Sequence, residues 1–179
     1  MSSLLILSLL QRPASTGTLI PSSRYLADTM ARQALGAELV VELGAGTGPV
    51  TQALVAACPN TPIMVVEVQA RLAHHLRQQF PALDVRQDTA ESVLDSLTDA
   101  PPCTTLVSSL PFRSLPSDVA RDTRASIGRF LLADPARKLV QFTYQPRAPF
   151  RPPAGLKWHF VGSVWRNAPP AGVWTLQAA

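Results

Sequence analysis

A short apolar run followed by three closely spaced glycines is the feature that most restricts what this chain can form. Residues 39–43 read Leu-Val-Val-Glu-Leu and lead into Gly44, Gly46 and Gly48. The aliphatic run predicts a buried strand, and the glycines allow a tight turn whose backbone approaches a ligand closely. Helical spacing of apolar residues follows over residues 49–57. A strand, a glycine turn and a helix in this order predict a ligand site at the end of a strand.

The rest of the chain alternates between candidate strands and candidate helices. We predict further helices at residues 69–80, 91–97 and 117–132. Further strands are predicted at residues 63–68, 83–86, 104–108, 138–144, 158–165 and 173–176. Such alternation predicts an α/β fold with a mostly parallel sheet of seven strands between two layers of helices, and the final strand pair predicts an antiparallel strand at its edge.

Charge is distributed unevenly along the chain. The 179 residues, a length typical of one domain, carry a formal net charge of +4. After Asp134 there is no Asp or Glu, and the basic residues of this stretch are Arg137, Lys138, Arg147, Arg151, Lys157 and Arg166. A one-sided basic surface suits an anionic partner, either a membrane or a nucleic acid, and a solvated basic face is the alternative.

The cysteines and histidines do not have the spacing of metal ligands. Cys58 and Cys103 are far apart, and we expect both to be buried in a protein of the reducing cytoplasm. His74 and His75 fall within a predicted helix and His159 within a late strand. We therefore expect no metal site.

Carboxylates end the first two predicted strands and follow the third. Glu42 precedes the glycine turn, Glu67 ends the next strand, and Asp88 with Thr89 follows the third. A carboxylate beside the turn would repel a pyrophosphate but favour a cationic methionine group. Glu67 can accept hydrogen bonds from both ribose hydroxyls of an adenosine, and Asp88 can accept one from the adenine amino group. One such acid is more often a solvated loop residue, but three at successive strands indicate a site.

These residues resemble the first three motifs of the class I S-adenosylmethionine-dependent methyltransferases. The resemblance implies a Rossmann-like fold and S-adenosylmethionine as the cofactor, with the glycine turn at its methionine end. The cofactor-binding residues that it implies are Thr16, Gly17, Glu42, Gly44, Ala45, Gly46, Thr47, Gly48, Glu67, Val68, Asp88, Thr89 and Ser108.

The fourth strand leads into Ser109-Leu110-Pro111-Phe112. Methyltransferases that act on amines often carry Asn-Leu-Pro-Tyr or a close variant here, where a side-chain oxygen and a backbone carbonyl receive the target amine. Ser109 stands in place of the Asn, so the amide acceptor is missing, which argues against the planar amine of adenine as the target.

Residues 12–26, 109–116, 141–147 and 165–171 together resemble the bacterial soluble-type phospholipid N-methyltransferases. That resemblance implies stepwise methylation of an amino phospholipid such as phosphatidylethanolamine. The catalytic residues that we expect are Tyr25, Ser109, Pro111 and Tyr144. The tyrosines and main-chain carbonyls near Ser109 would hold the amine, Pro111 would make the turn rigid, and the proton would leave through water or a polar side chain. For the lipid we expect an aromatic face to cover the methylated cation and arginines to hold the phosphate, namely Phe112, Arg113 and Arg147. Core packing for the tyrosines and surface ion pairs for the arginines are the alternatives.

The first thirty residues are expected to form a helical segment that contacts the membrane, and residues 31–179 the methyltransferase domain. Residues 4–10 are apolar but too short to span a bilayer, and they lack the basic positions expected of a docking helix. They form either a helix on the core of the domain or an element that dips into a membrane surface. We expect a cytoplasmic enzyme at the inner face of the membrane, with a lipid substrate and no nucleic-acid partner.

Two other functions fit parts of the sequence. The loop at residues 109–112 keeps half of the signature of RNA adenine N6-methyltransferases, and the basic C-terminal stretch could hold phosphates. Those enzymes carry a further helical domain after the catalytic one, and we expect the 179 residues to be too few for it. The second alternative is a cofactor-binding scaffold without catalysis, against which the three carboxylates argue.

Overall fold

The computed structural model describes residues 23–179, which form five helices and seven strands. The helices are α1 (Arg24–Arg32), α2 (Pro49–Ala57), α3 (Ala70–Gln79), α4 (Ala90–Ser96) and α5 (Ser117–Leu132). The strands are β1 (Leu39–Leu43), β2 (Ile63–Val66), β3 (Asp84–Arg86), β4 (Thr104–Ser108), β5 (Lys138–Thr143), β6 (Leu156–Val164) and β7 (Ala171–Ala178).

The strands make one sheet in the order β3-β2-β1-β4-β5-β7-β6. The first five in this order are parallel, whereas β7 pairs antiparallel with both β5 and β6. The predicted α/β fold with a mostly parallel seven-stranded sheet is therefore confirmed. The strand that runs opposite to the rest lies one place inside the edge, and β6 forms the edge itself.

Five predicted strands differ from the observed ones by one or two residues at their ends, and two of these differences have identifiable reasons. The second ends at Val66 rather than at residue 68 because the Glu67 carboxylate accepts a hydrogen bond from the backbone N–H of Gln69 and turns the chain towards α3. The strand predicted from residue 158 begins at Leu156, where pairing with β7 starts opposite Ala178. The exposed Lys157 interrupts the apolar pattern there, as is common on an edge strand.

Side chains of β1, β2 and β4 are buried on both faces of the sheet, which explains their near-continuous apolar runs. On one face, Val40 of β1 packs with apolar residues of α1, α2 and α3. On the other, Val41 packs with residues of α4 and α5. Burial of each such side chain contributes about 1.5–3 kcal/mol, so the ends of these strands are held firmly.

Helix α1 is part of this core. Its buried residues are Leu26, Ala27, Met30 and Ala31, and Ser23 caps its start by accepting a hydrogen bond from the backbone N–H of Leu26. Residues 4–10, Arg12, Thr16 and Gly17 lie outside the described residues. In the part from Ser23 onward, no helix has the length and apolar content needed to cross a membrane.

One expectation about the cysteines is wrong. Cys58 is buried at the end of α2, but Cys103 is exposed, directly before β4. It follows Pro101 and Pro102 in the loop that leads into that strand, so its side chain is not enclosed by the helices on either face.

Candidate cofactor and substrate site

The glycine turn needs glycine for two different reasons. Gly44, Gly46 and Gly48 have φ values of +73°, +61° and +87°, a region that other residues adopt only with strain. A Cβ at Gly44 would also lie 2.6 Å from Cδ2 of Leu110, whereas one at Gly46 would meet nothing within 4 Å. The turn is therefore packed against the loop after β4 at Gly44 and leaves open space at Gly46, where a ligand can approach the backbone.

Glu67 joins this turn to the end of β2. Its Oε2 accepts a hydrogen bond of 2.8 Å from the backbone N–H of Gly46, and its Oε1 accepts one of 2.9 Å from Gln69. The side chain is buried, and each oxygen keeps a second lone pair. The carboxylate can therefore hold the turn and still accept hydrogen bonds from ribose hydroxyls. Val68, the next residue, is half-buried.

Glu42 lies at full burial beneath the turn. Its Oε2 accepts a hydrogen bond of 2.6 Å from the Thr51 hydroxyl, and its Oε1 has no partner among the described residues. Burial raises the pKa of Glu42 to about 8, and the charge of Glu67 adds to the rise. A buried acid with an unused oxygen is suited to a cationic ligand, whose charge favours the ionised form.

Asp88 and Thr89 follow β3, where Asp88 is exposed and Thr89 is half-buried. Asp88 accepts hydrogen bonds from the backbone N–H of Thr89 at 2.7 Å and from the Ser92 hydroxyl at 2.9 Å. Thr89 caps α4 by accepting from the backbone N–H of Ser92. These bonds fix the carboxylate at the end of the strand, where it keeps free lone pairs for an amino group.

The loop after β4 is tied to β1 and β5. The backbone N–H of Ser109 donates to the Leu43 carbonyl at 3.0 Å, and Oγ of the buried Ser108 accepts from the backbone N–H of Leu110 at 3.2 Å. Gln141 of β5 donates through Nε2 to the carbonyls of Leu110, at 3.2 Å, and Phe142, at 3.1 Å. The loop carrying Ser109 and Pro111 is therefore held beside the glycine turn.

Sequence reasoning did not assign a role to Gln141. Its side chain is buried, and its Oε1 has no partner among the described residues. The available signal was an amide in an otherwise apolar strand, since a buried amide must find partners. The Nε2 of Gln141 has two such partners, the Leu110 carbonyl in the loop that is expected to receive the amine and the Phe142 carbonyl of β5.

The expected substrate residues fall into two groups. Phe112 is half-buried, with its ring 4.8 Å from that of Phe150, and Arg113 beside it is exposed. Tyr144 directly follows β5 with 44% of its surface exposed, and Arg147 donates through Nε to the Gln145 side chain at 3.0 Å. Both groups lie at the carboxyl end of the parallel strands, the end that bears the glycine turn.

Two guanidinium groups lie near the ring of Tyr25. Those of Arg24 and Arg166 are 5.0 and 5.2 Å from the centre of its ring. The buried Asn167 accepts a hydrogen bond from the backbone N–H of Ser23 and donates one to the Pro169 carbonyl, which joins the start of α1 to the turn between β6 and β7. Neither arginine forms an ion pair within residues 23–179.

The described residues fit S-adenosylmethionine at the ends of β1 to β3. The unpartnered oxygen of Glu42 suits its cationic methionine end, the open space at Gly46 admits it, and Glu67 suits its ribose. In residues 23–179 no group of His, Cys, Asp and Glu could hold a metal ion.

Comparisons with known proteins agree with this geometry. No protein-family model matches the chain. The ornithine lipid N-methyltransferase of Singulisphaera acidiphila is 31% identical over 171 residues, covering 88% of this chain and 85% of the relative. The structure of the 23S rRNA methyltransferase ErmE has a TM-score of 0.56 at 19% identity, covering 86% of this chain and 67% of ErmE. Human N-acetylserotonin methyltransferase, in complex with S-adenosylmethionine, has a TM-score of 0.58 at 12% identity, covering 86% and 52%.

The two structures show the fold, and the curated relative shows the family. S-adenosylmethionine is the cofactor, as the glycine turn and the carboxylates predicted. The chain belongs to the family of class I S-adenosylmethionine-dependent methyltransferases that includes the ornithine lipid N-methyltransferase of Singulisphaera acidiphila.

Proposed function

We propose that this enzyme methylates the amine of a membrane amino lipid, of the class to which phosphatidylethanolamine and ornithine lipids belong. The observation that carries the proposal is the 31% identity to an ornithine lipid N-methyltransferase across 85% of that protein. The loop at residues 109–112 supports it, because the serine at position 109 lacks the amide acceptor that a planar adenine amine would use.

The chain's own residues would prepare a flexible alkyl amine for transfer. When bound, S-adenosylmethionine supplies an electrophilic methyl group on a sulfonium. Backbone carbonyls near Ser109 and the hydroxyl of Tyr144 or Tyr25 would hold the amine in its neutral form, its proton passing to water or to a polar side chain. Gln141 would keep the loop in position through its bond to Leu110.

The methylated product would carry a permanent cation. Exposed aromatic faces such as that of Tyr144 can hold such a group, and the half-buried Phe112 offers a second ring after β4. Arg113 and Arg147 would face the phosphate or carboxylate of the head group, which a guanidinium binds through two parallel hydrogen bonds. We also propose that the enzyme acts at an anionic membrane surface, where its substrate resides.

Transfer of radiolabelled methyl groups tests the proposal. The purified chain would be incubated with labelled S-adenosylmethionine and, separately, phosphatidylethanolamine, ornithine lipid and unmodified ribosomal RNA. We expect label in at least one amino lipid and none in RNA. Label in RNA alone would favour the RNA alternative, and cofactor binding without transfer to any of the three would favour a scaffold. Glu67→Ala, with a damaged cofactor site, is the negative control.

A further inference from the structure

An open cavity lies beside the expected amine site. Its volume is about 550 Å3, and it is bounded by the segment after β5 and by β6, β7 and the turn between them. This edge cavity is lined chiefly by Tyr144, Pro146, Phe160, Pro169, Gly172 and Trp174. No charged residue of the described range 23–179 lines it, and its volume falls within the range of about 300–1,000 Å3 that is usual for ligand pockets.

The walls of the edge cavity are aromatic and partly exposed. Phe160 has 55% of its surface exposed and Tyr144 has 44%. The rings of Phe160 and Trp174 are 4.9 Å apart and form one continuous apolar wall. Exposed aromatic surface of this extent marks a place where an apolar ligand or a lipid is accommodated.

A single unused donor lies at this wall. Nε1 of Trp174 is buried and has no hydrogen-bond acceptor among residues 23–179. A Cβ placed on Gly172, which lines the cavity, would lie 3.2 Å from this nitrogen. A buried donor without a partner is rare. This nitrogen lies against Gly172 and is not accessible from the cavity, so the indole presents its apolar ring to the cavity.

The edge cavity is linked to the loop that receives the amine. Trp174 is the cross-strand partner of Gln141, and Gln141 donates to the Leu110 carbonyl of that loop. Tyr144, an expected amine-binding residue, forms part of the cavity wall. Arg147 donates a hydrogen bond to the side chain of Gln145, which lines the cavity, and no acidic residue follows Asp134. The surroundings therefore suit an apolar chain that is attached to an anionic head group.

We propose that the edge cavity binds an acyl chain of the lipid whose amine is methylated, with the chain packed against the rings of Phe160 and Trp174. This inference rests on the proposed function. It adds that the enzyme draws one chain of its substrate out of the bilayer, so that the enzyme discriminates between lipids by chain length as well as by head group.

A cavity-filling variant tests the proposal. Ser163 is exposed on the edge strand and lines the cavity, so Ser163→Phe would place a ring inside it. Val161→Phe is the matched control, because it adds the same ring at an exposed position on the same strand outside the cavity lining. Methyl transfer would be measured with one amino head group carrying either hexadecanoyl or hexanoyl chains, in identical mixed micelles.

We expect Ser163→Phe to lower kcat/KM for the long-chain lipid about tenfold, a loss typical of one excluded apolar contact. The value for the short-chain lipid and the dissociation constant of S-adenosylmethionine should stay within about twofold of wild type, and Val161→Phe should match wild type. An unchanged preference for long chains in Ser163→Phe, or an equal loss on both lipids, would overturn the proposal.

A fluorescence measurement separates this proposal from the proposed function. A lysolipid brominated on its acyl chain, below its micelle concentration, should quench tryptophan emission of wild type, and Trp174→Phe should remove most of the quenching while Trp158→Phe retains it. Equal quenching in both variants would overturn the edge cavity as the chain site. Quenching through Trp174 without methylation of any amino lipid would leave the cavity in place and reject the proposed function. Methylation of an amino lipid without quenching would support the proposed function and reject the edge cavity as the chain site.

Discussion

The backbone N–H of Gly46 donates a hydrogen bond of 2.8 Å to the carboxylate of Glu67, across the gap between the ends of β1 and β2. These residues are 21 positions apart in sequence, yet one bond makes the glycine turn and the expected ribose acceptor a single unit. Because Glu67 also accepts from Gln69, it is held by both segments. Substitution of either residue should therefore weaken cofactor binding more than it lowers the stability of the fold.

Replacement of Glu67 by alanine should weaken S-adenosylmethionine binding without unfolding the protein. The variant loses the bond to Gly46 and the acceptor for two ribose hydroxyls, and bonds to a charged acceptor contribute about 1.5–3 kcal/mol each. We expect the dissociation constant, measured by calorimetry, to rise by at least about tenfold. Glu67→Gln keeps one acceptor oxygen, so its dissociation constant should lie between those of the wild type and Glu67→Ala. A wild-type constant in Glu67→Ala would remove this residue from the site.

Valine at Gly46 should abolish cofactor binding. The positive φ of +61° makes any side chain there cost about 1–3 kcal/mol, and the side chain would occupy the open space left for the ligand. Gly36→Val is a matched control, because Gly36 also has a positive φ, +80°, and also has nothing within 4 Å of a built Cβ. Gly36 lies before β1, away from the glycine turn. Both variants should lose similar stability in thermal unfolding, but only Gly46→Val should lose binding.

The free energy of unfolding should fall as pH rises, because the buried Glu42 must then ionise. Its pKa is raised from 4.5 in the unfolded chain to about 8 in the folded protein, chiefly by burial. The stabilisation is fully present below the unfolded pKa and is lost as pH rises through the folded pKa. We expect the free energy of unfolding of the cofactor-free protein to fall by several kcal/mol between pH 4.5 and about 8. Urea titrations across this range measure it.

Glu42→Gln is the control for that titration, since the amide cannot ionise and can still accept a hydrogen bond from Thr51. Its stability should change less over the same pH range. A parallel pH dependence in the two proteins would show that another group is responsible. The same variant should bind S-adenosylmethionine more weakly above pH 8, where the wild-type carboxylate faces the cation.

Removal of the Gln141 amide should slow transfer more than it weakens cofactor binding. Gln141→Leu has a similar volume but cannot donate to the Leu110 carbonyl, so the loop at residues 109–112 loses one of its ties. One neutral hydrogen bond contributes about 0.5–1.5 kcal/mol, and misplacement of the amine adds to that loss. We expect kcat to fall about tenfold. A larger effect on the dissociation constant of S-adenosylmethionine than on kcat would contradict a positioning role.

The sequence predicted those parts of the site that depend on one strand and the turn that follows it. Glu42 and the three glycines are neighbours in the chain, and the glycines indicate a turn with positive φ values. Glu67 and Asp88 could be placed because parallel strands bring their carboxyl ends to one edge. The fold followed from the same alternation of apolar runs and helices.

Features that depend on pairing between distant strands could not be predicted in this way. Gln141 meets Leu110 because β5 lies beside β4, and Trp174 meets Gln141 because β7 enters antiparallel next to β5. Because β7 lies between β5 and β6 in the sheet, three separate segments come together to line the edge cavity. The contact of Arg24 and Arg166 with Tyr25 likewise joins residues at the two ends of the described chain.

Binding to anionic membranes should depend on two weak contributions. The first is the apolar stretch at residues 4–10, which by itself would bind a bilayer only marginally. The second is positive charge from Arg12, Arg24 and Arg166, since a basic residue adds about 1 kcal/mol near an anionic surface. Arg24 and Arg166 both lie near the Tyr25 ring and have no ion-pair partner among the described residues. Together the two contributions would localise the enzyme while leaving it able to dissociate.

Co-sedimentation with vesicles separates the two contributions. The full chain should sediment with vesicles of phosphatidylglycerol and phosphatidylcholine at low salt and less so at high salt, because salt shortens the range of the charge attraction. Deletion of residues 1–10 should weaken binding at both salt concentrations, whereas the double variant Arg24→Gln, Arg166→Gln should weaken it mainly at low salt. Arg121→Gln is the control, since Arg121 is already paired with Asp122 on α5. Equal sedimentation of the deleted and full chains would show that the N-terminal stretch does not contact the bilayer. Sedimentation that does not respond to salt would reject the contribution of charge.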